Sequence, residues 1–398
     1  MSLYILRTTP IVEDDLVKQW IAEDFIRGME EKDILQAASS YFDELLWFGL
    51  LQQMAANSKK KGLSYVVHPA VFDFITCKSM EDNFVTTIDY SQSIVALTDK
   101  IRRLSLHFSS ATCATLPASI GISQVRSLTY LGLLNCIPSL VEFRLVRIMI
   151  LHLRSDDGDT RLSLSEIDKL LLLRYLQVRC NVKVELPDQM QCLKHFETLE
   201  INAIVAAIPS DIAHVPKLSD VHIGGKKNHK LNILLWVLLL QEEAMLNLRK
   251  FKIGLNAHVG EEHGKILGSI HHLLNLQEIA VSIVADTGTQ ESYSIDVESA
   301  FLDQISRHPS RPSFKVKKVC GVKPSNEEDK VLRKQMGKSL IEQHGILGKM
   351  PSQDTKEHAD LRLMSRNEKE EAAAMDGYEW KKYGQKFIKK SKKLGTSY

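Results

Sequence analysis

The 398-residue chain lacks several features that would assign it to one class of protein. Its six cysteines are scattered and include no C-x-x-C pair. This argues against a disulfide framework or a cysteine-bound zinc ion and favours buried thiols in a reducing compartment. Lys and Arg number 51 and Asp and Glu number 49, so the chain is not a polycation. Any contact with nucleic acid must therefore be local.

The chain also lacks a segment that would direct it to a membrane. The N-terminus has no signal peptide of proper length. The longest apolar run, from Leu231 to Leu240, is half of the roughly 20 residues that a bilayer requires. We interpret this run as a buried helix of an insertion. We therefore expect a soluble, intracellular protein with no membrane partner.

No set of side chains indicates catalysis or metal binding. Neither a Ser/His/Asp nor a Cys/His set is suggested by order or context, and we expect no enzymatic activity. His271 and His272 are adjacent, but neighbouring residues on a helix point apart. Because no carboxylate or third histidine stands at ligand spacing, they indicate a solvated edge and not a metal site.

The first part of the chain has a helical pattern. Apolar residues recur at helical spacing over residues 16–25 and 37–46. Asp14 and Asp15 precede the first stretch, where acidic side chains suit the helix dipole. A lysine-rich turn and a short β-like run over residues 65–68 follow, and then a further apolar segment. This order predicts a small winged-helix domain.

One apolar pattern then repeats, and it is that of leucine-rich repeats, apolar-x-x-apolar-x-x-apolar-x-apolar. The clearest copies are Leu170/Leu173/Leu176/Val178, Leu193/Phe196/Leu199/Ile201 and Val215/Leu218/Val221/Ile223. We assign four more as Val125/Leu128/Leu131/Leu133, Leu145/Ile148/Leu151/Leu153, Met245/Leu248/Phe251/Ile253 and Leu273/Leu276/Ile279/Val281, with a weaker first copy at Ile101, Leu104 and Leu106. Each copy predicts one short parallel strand, and stacking them predicts a solenoid whose concave face binds protein partners.

The last segment carries the most specific motif in the chain. It reads Trp380-Lys381-Lys382-Tyr383-Gly384-Gln385-Lys386. Six of these seven residues match the core of a WRKY domain, a plant DNA-binding module, with Lys381 where that family has Arg. The resemblance implies that all seven residues bind DNA in the major groove. Its lysines would contact phosphates, and its glycine would let the backbone approach the bases.

The WRKY fold needs two cysteines and a later histidine pair, or a histidine and a cysteine, on zinc, and the sequence ends at Tyr398 before they occur. Structural zinc contributes roughly 10–16 kcal/mol of apparent binding energy to small metal-held domains. We therefore expect the segment to be disordered in the isolated chain, without partner strands. We also expect it to bind DNA only non-specifically, with a steep salt dependence.

Residues 15–26 resemble the winged-helix signature of plant nucleotide-binding leucine-rich-repeat resistance proteins. Val67-His68-Pro69 stands where that family has its Met-His-Asp motif, which implies a nucleotide-sensing role for His68. Pro69 supplies neither the charge nor a backbone donor. There is no G-x-x-x-x-G-K-[ST] loop to hold phosphates, Gly264-Lys265 being the nearest candidate. We therefore interpret His68 as a degenerate motif residue with a structural role.

The sequence thus predicts an α/β protein in four parts. They are a partial winged-helix domain (residues 1–80), a leucine-rich-repeat solenoid (95–320), a flexible charged linker poor in large apolar residues (321–375) and a truncated WRKY-like β segment (376–398). We expect no cofactor, because zinc would require a complete WRKY domain and ADP would require a nucleotide-binding domain, which is absent here.

Three functional interpretations remain open. The first is a fragment of a plant defence receptor, in the cytoplasm and nucleus, that recognises proteins through its repeats. The resemblance implies that its fused WRKY module serves as bait for pathogen effectors. The second is a sequence-specific transcription regulator of the WRKY type. The third is a degenerate gene product without activity of its own.

Overall fold

The structure is a computed structural model of the chain. It describes residues 10–26, 31–54, 63–89, 101–108, 121–157, 160–224, 244–256, 271–285, 299, 302–303, 305–320, 378–383 and 386–391. The chain divides into two compact units, Met1–Lys330 and Val331–Tyr398. None of the described helices combines the length and the apolar character needed to cross a membrane. The interpretations of residues 231–240, of Gly264-Lys265 and of the linker lie outside the described residues.

Three described helices and a pair of short strands lie in the N-terminal part of the first unit. They are helix α1 (Glu13–Ala22), helix α2 (Glu31–Trp47), the antiparallel strands β1 (Leu51–Gln53) and β2 (Tyr65–Val67), and helix α3 (Pro69–Glu81). The two predicted helices and the predicted β run are confirmed. Their shared core contains Leu16 and Val17 of α1, Ala38 and Phe42 of α2, and Tyr65 of β2.

Local chemistry explains where these helices begin and end. The first turn of α1 is acidic, which stabilises the positive end of the helix dipole. Helix α2 stops just before Gly49, whose φ of 68° lies in the left-handed region that glycine adopts without steric cost. Helix α3 begins with Pro69 at its first position, where no backbone donor is needed.

The remainder of the first unit contains one sheet of eleven described strands, all paired in parallel. They are β3 (Thr86–Asp89), β4 (Arg103–Phe108), β5 (Ser127–Leu133), β6 (Ile148–Arg154), β7 (Arg161–Ser163), β8 (Tyr175–Glu185), β9 (Thr198–Val205), β10 (Asp220–Gly224), β11 (Lys250–Asn256), β12 (Glu278–Ala285) and β13 (Ser313–Cys320). Strands neighbour one another in chain order, except that the short β7 only adds to the far end of β8. The fold is therefore mixed α/β, with one sheet strand for each copy of the sequence pattern.

The core lies on one face of this sheet. In five of the predicted full copies the apolar residues are buried there, as predicted, and so are Ile101, Leu104 and Leu106 of the weaker first copy. Short 3-10 turns separate many of the strands, and two of them, Met190–Cys192 and Ser210–His214, follow the Leu-Pro and Ile-Pro pairs of the sequence. Among the described residues, Cys77, Cys136, Cys180 and Cys192 form no disulfide bond, and Cys77 is exposed whereas Cys136 is buried.

The predicted frame is wrong for two copies, those written Val125/Leu128/Leu131/Leu133 and Leu145/Ile148/Leu151/Leu153. The register pairs Met149 with Leu128 on one side and with Leu176 on the other, and all three lie in the core. Leu131 and Ile148 instead pack in a separate cluster on the opposite face. The error arose because β5 and β6 carry apolar residues on both faces, so periodicity alone cannot set the frame.

The second unit contains one described hairpin. Strand β14 (Tyr378–Tyr383) pairs antiparallel with β15 (Lys386–Ser391), with Tyr383 opposite Lys386. We expected a segment without regular structure or a partner strand, and β15 is that partner. The correction has a simple physical reason, because a two-residue connection closes a hairpin through contacts that are local in sequence.

Candidate interaction site between the first helix and the repeat sheet

Helix α1 buries both of its faces. Leu16 and Val17 lie in the core that α1 shares with α2, and Trp20 and Ile21 pack against it. The opposite, polar face is in contact with the strand face of the repeat sheet, on the side away from the repeat core. Gln19 is only 4% exposed there. The polar face is thus a docked surface and not a solvated one. We call this contact the α1–sheet interface.

The N-terminal end of the interface is a set of ion pairs centred on Asp14 and Lys18. Asp14 contacts the ammonium groups of Lys250 and Lys252 on β11, the latter at 3.5 Å. Lys18 lies 2.8 Å from Asp220 on β10 and 2.9 Å from Asp14. Burial disfavours the charged form of Asp14, but the three lysines outweigh it and hold the pKa of Asp14 well below its usual range.

Neighbouring carboxylates stabilise the protonated form of Lys18 in a similar way. Burial alone would lower the pKa of Lys18, but Asp220, Asp14 and Glu200 outweigh it and raise that pKa above its usual range. Glu200 lies 3.8 Å from the Lys18 ammonium. Lys18 therefore stays protonated and provides the positive charge that carboxylates from α1, β9 and β10 share.

Asp15 lies in surroundings that disfavour its negative charge. Burial, followed by the neighbouring Glu200 carboxylate, raises the pKa of Asp15 to about 7. Lys18 and Arg179 oppose this shift, and the Arg179 guanidinium lies 4.0 Å from Asp15. Two carboxyl groups, one from the helix and one from the sheet, thus share one partly desolvated region.

A hydrogen-bond network and a small apolar contact form the middle of the interface. The Nε2 of Gln177 donates to the Tyr175 hydroxyl at 3.2 Å and to Glu200 at 2.8 Å, and the buried side chain of Gln19 of α1 lies beside Tyr175. The only buried apolar contact of α1 with this face in the described part of the chain is made by Ala22. Its cluster also contains Ile148, Ile150 and Tyr175, with Leu131 packed against it.

The C-terminal end of the interface is a second set of ion pairs. Glu23 lies 3.2 Å from Arg103 of β4. Asp24 contacts Arg147, and it accepts a hydrogen bond from Arg174 at 2.6 Å. Asp24 has a φ of 58°, a left-handed conformation that is uncommon for residues other than glycine.

Arginine recurs at one position of the repeats, immediately before or at the start of a strand. Arg102, Arg126, Arg147 and Arg174 are linked by backbone hydrogen bonds from each repeat to the previous one, at 2.7 to 2.8 Å. The sequence analysis missed these residues and also Asp24, which pairs with Arg147 and Arg174. The recurrence itself was visible in the sequence and would have indicated a basic row.

The structure places the predicted site residues as follows. The Nδ1 of His68 accepts a hydrogen bond from the backbone N–H of Ala70 at 3.2 Å and caps helix α3. The predicted DNA-binding residues Trp380, Lys381, Lys382 and Tyr383 lie on β14, Lys386 opens β15, and Gly384 and Gln385 fall outside the described residues.

We expected His271 and His272 to lie on a solvated edge, and the structure differs. Both are half-buried. The His271 ring stacks on that of His308 with their centroids 5.9 Å apart. Within the described residues, no group of three or more His, Cys, Asp or Glu side chains is arranged to hold a metal ion.

Comparison with known families identifies three regions. The family described as "Disease resistance protein Winged helix domain" matches residues 7–75, "Leucine-rich repeat region" matches 124–234, and "WRKY DNA-binding domain" matches 375–398. The rice (Oryza sativa subsp. japonica) disease resistance protein RGA5 is 38% identical over 281 residues, which are 70% of this chain and 24% of RGA5. The chain is a relative of plant disease resistance proteins.

Other rice relatives support this relationship. Disease resistance protein Pik-2 is 26% identical over 76% of this chain and 34% of its own length, and Pik-1 is 31% identical over 47% of the chain and 16% of its own length. The chain thus spans about a quarter of RGA5 and about a third of Pik-2. Within this chain, α1 lies in the region that matches the winged-helix family. Three of its contacting residues, Arg147, Arg174 and Arg179, lie in the region that matches the leucine-rich-repeat family.

Proposed function

We propose that this chain is part of a plant defence receptor whose repeats form a solenoid and recognise a protein partner on its concave strand face. We further propose that docking of α1 on that face regulates recognition. The relationship to rice disease resistance proteins and the leucine-rich-repeat region support the receptor role. The observation that carries the regulatory part is the α1–sheet interface, in which a helix from the winged-helix region occupies the strand face.

The chemistry of the interface suits a contact that opens and closes. Its partly exposed ion pairs, such as Arg174–Asp24 and Lys252–Asp14, typically contribute about 0–1 kcal/mol each, and salt screens them. The apolar contribution on this face is confined to the cluster around Ala22. A contact of this kind holds α1 in place, but its separation costs less free energy than that of an apolar core of similar area, which gains about 25 cal/mol per Å² buried.

A charge exchange between Glu23 and Arg103 tests the regulatory role. Glu23→Arg alone should release α1, which would be measured as faster hydrogen exchange of the α1 amides and as a changed defence-marker level in leaf tissue. Adding Arg103→Glu should restore both readouts, because the pair is re-formed with opposite signs. Lys78→Glu, which breaks the exposed Lys78–Glu81 pair of α3, is the matched control and should change neither. Normal exchange and normal output in the Glu23→Arg chain would contradict the proposal.

The hairpin of β14 and β15 supports a second role for the fused WRKY-like segment. We propose that it is an integrated module that binds either pathogen effectors, as bait, or DNA in the nucleus. The match of residues 375–398 to the WRKY family supports both. In a gel shift at ~150 mM salt, the bait role predicts no preference for a TTGAC-type element, because only phosphates are contacted. A clear preference that Lys386→Ala abolishes would favour the DNA-binding regulator.

A further inference from the structure

We propose that the strand face of the repeat sheet recognises an acidic helical segment of a partner protein, and that α1 occupies this face as a built-in substitute for that segment. The inference rests on the proposed function in one respect, namely that the repeats recognise a protein. It adds the chemistry of the partner and the surface that the partner binds.

The first support is the distribution of charge. Six cationic side chains of the repeats contact α1 or the residues that follow it; they are Arg103, Arg147, Arg174, Arg179, Lys250 and Lys252. Their partners on the helical segment are four carboxylates, two at each end; they are Asp14, Asp15, Glu23 and Asp24. The face therefore has basic side chains at two separate places, and each place meets acidic groups of the segment. At the first place the sheet also presents Glu200 and Asp220, which pair with Lys18 of α1.

The second support is the geometry of the segment. Asp14 lies in the first turn of α1, and Asp24 lies two residues beyond its last residue, Ala22. The ten residues of α1 correspond to a helix about 15 Å long. Arg147 directly precedes β6 and Lys250 begins β11, four strand spacings away in the sheet order, or about 19 Å at the usual spacing. The two basic places are thus separated by a distance that one helix of about three turns bridges when it lies across the strands.

The third support is the small side chain that the face accepts between its two basic places. Ala22 is 2% exposed and packs on Ile148, Ile150 and Tyr175, so this position of the segment takes a small side chain. A matching partner helix carries acidic residues at both ends of its contact face and a small residue immediately before the second acidic end.

The fourth support is that α1 is an imperfect occupant. Asp15 lies close to Glu200, a contact between groups of like charge that a partner segment need not bring. A cavity of about 220 Å³ also remains beside the helix, lined by residues that include Asp15, Arg179, His222 and Lys252. A partner with a neutral side chain at the position of Asp15, or a larger one reaching the cavity, would bind this face better than α1.

The experiment uses the full chain and two matched helical peptides. The acidic peptide repeats residues 10–26 with Ala in place of Leu16, Val17, Trp20 and Ile21, so that it keeps only the sheet-contacting face. The neutral peptide carries Asp14→Asn, Asp15→Asn, Glu23→Gln and Asp24→Asn in addition. Binding of each labelled peptide is measured by fluorescence anisotropy to the wild-type chain and to a loosened chain carrying Asp14→Asn and Asp24→Asn, whose sheet cations are intact.

We expect the loosened chain to bind the acidic peptide at least tenfold more tightly than the neutral one and more tightly than the wild-type chain does, because α1 competes less. Lys250→Gln with Lys252→Gln should remove most of this preference. Equal binding of the two peptides, in a loosened chain whose α1 amides exchange faster, would overturn this inference and leave the proposed regulatory role intact. Unchanged α1 exchange in the loosened chain would overturn both, because these ion pairs would not hold the helix.

Discussion

Asp24 combines an unfavourable backbone conformation with two ion pairs. Its φ of 58° suits glycine or asparagine, but neither carries the negative charge that Arg147 and Arg174 meet here. The charge thus explains why an aspartate occupies a position whose backbone favours another residue. Asparagine at this position separates the effect of the backbone from the effect of the charge. It adopts the left-handed conformation readily, and it lacks only the negative charge.

We predict that Asp24→Asn raises the opening equilibrium of α1 about fivefold, which corresponds to about 1 kcal/mol, because two charge-assisted contacts become neutral. Hydrogen exchange of the α1 amides measures this change. Asp24→Gly is the control, since it removes the same charge and also fits the backbone, and it should open α1 by a similar factor. Wild-type exchange in both variants would show that Asp24 does not hold the helix.

Asp15 gives the interface a defined pH dependence. Its pKa in the docked state, about 7, lies above the ordinary value of 3.8, so the docked state binds the proton more tightly than the released state. The contribution of Asp15 to docking is therefore fully present below about pH 4 and is lost as the pH rises through about 7. Burial lowers the pKa of His152 to about 4 and also lowers the pKa of His222, so the folded chain favours the neutral form of both histidines.

We predict that Asp15→Asn stabilises docking at pH 8 but not at pH 4, because the amide removes the like-charge contact with Glu200. The comparison with wild type at each pH isolates Asp15, since both proteins share the two histidines. The measurement is α1 hydrogen exchange, corrected for the intrinsic rate, at constant ionic strength. An equal effect of the substitution at pH 4 and pH 8 would contradict the assignment.

At the scale of the element, strands β4 and β5 approach each other closely at one point. A Cβ atom on Gly132 of β5 would lie 2.3 Å from the backbone oxygen of Phe108. Gly224 of β10 differs, because the nearest atom to a Cβ there is the Asn202 side-chain oxygen at 3.4 Å. Backbone atoms of a paired strand cannot move aside as a side chain can, so the two glycines should respond differently to the same change.

We predict that Gly132→Ala destabilises the repeats by about 1–3 kcal/mol, the usual range for overpacking, whereas Gly224→Ala is close to neutral. Thermal unfolding followed by circular dichroism compares the two variants under the same conditions. If Gly132→Ala and Gly224→Ala lower the midpoint of thermal unfolding equally, the contact between Gly132 and the Phe108 backbone does not limit the side chain at this position.

The elements also show what a sequence pattern can and cannot specify. The copies at β9 and β10 could be framed because polar residues, among them Glu200 and His222, alternate with their buried apolar residues. β6 could not, because Ile148 and Ile150 are buried against Ala22 of α1 on its other face. Docking was invisible because it joins residues that no local pattern relates.

At the scale of the whole molecule, two kinds of contact hold the first unit together. Apolar burial stabilises the repeat core, and ion pairs dominate the α1–sheet interface. The family assignment could be predicted because it rests on local strings such as residues 15–26 and 380–386. The interface could not, because Glu23 meets Arg103 and Asp24 meets Arg174 across 80 and 150 residues of chain.

We predict that salt separates these two kinds of contact. Raising NaCl from about 0.1 M to about 1 M shortens the Debye length from about 10 Å to about 3 Å and weakens ion pairs, but it does not weaken apolar burial. The α1 amides should therefore exchange faster at high salt, while those of β9 should stay protected. If high salt changes the amide exchange of α1 and β9 by the same factor, ion pairs do not dominate the α1–sheet interface.

The distance along the chain between Asp14 and its partner Lys252, 238 residues, sets an order of events during synthesis. At about 5–20 residues per second, the ribosome completes β11 roughly 12–50 s after α1 has emerged. Helix α1 has its α2 partner within seconds, but its second surface does not yet exist. The winged-helix core therefore folds first and alone, and the polar side of α1 stays accessible to cellular chaperones until the repeats are finished.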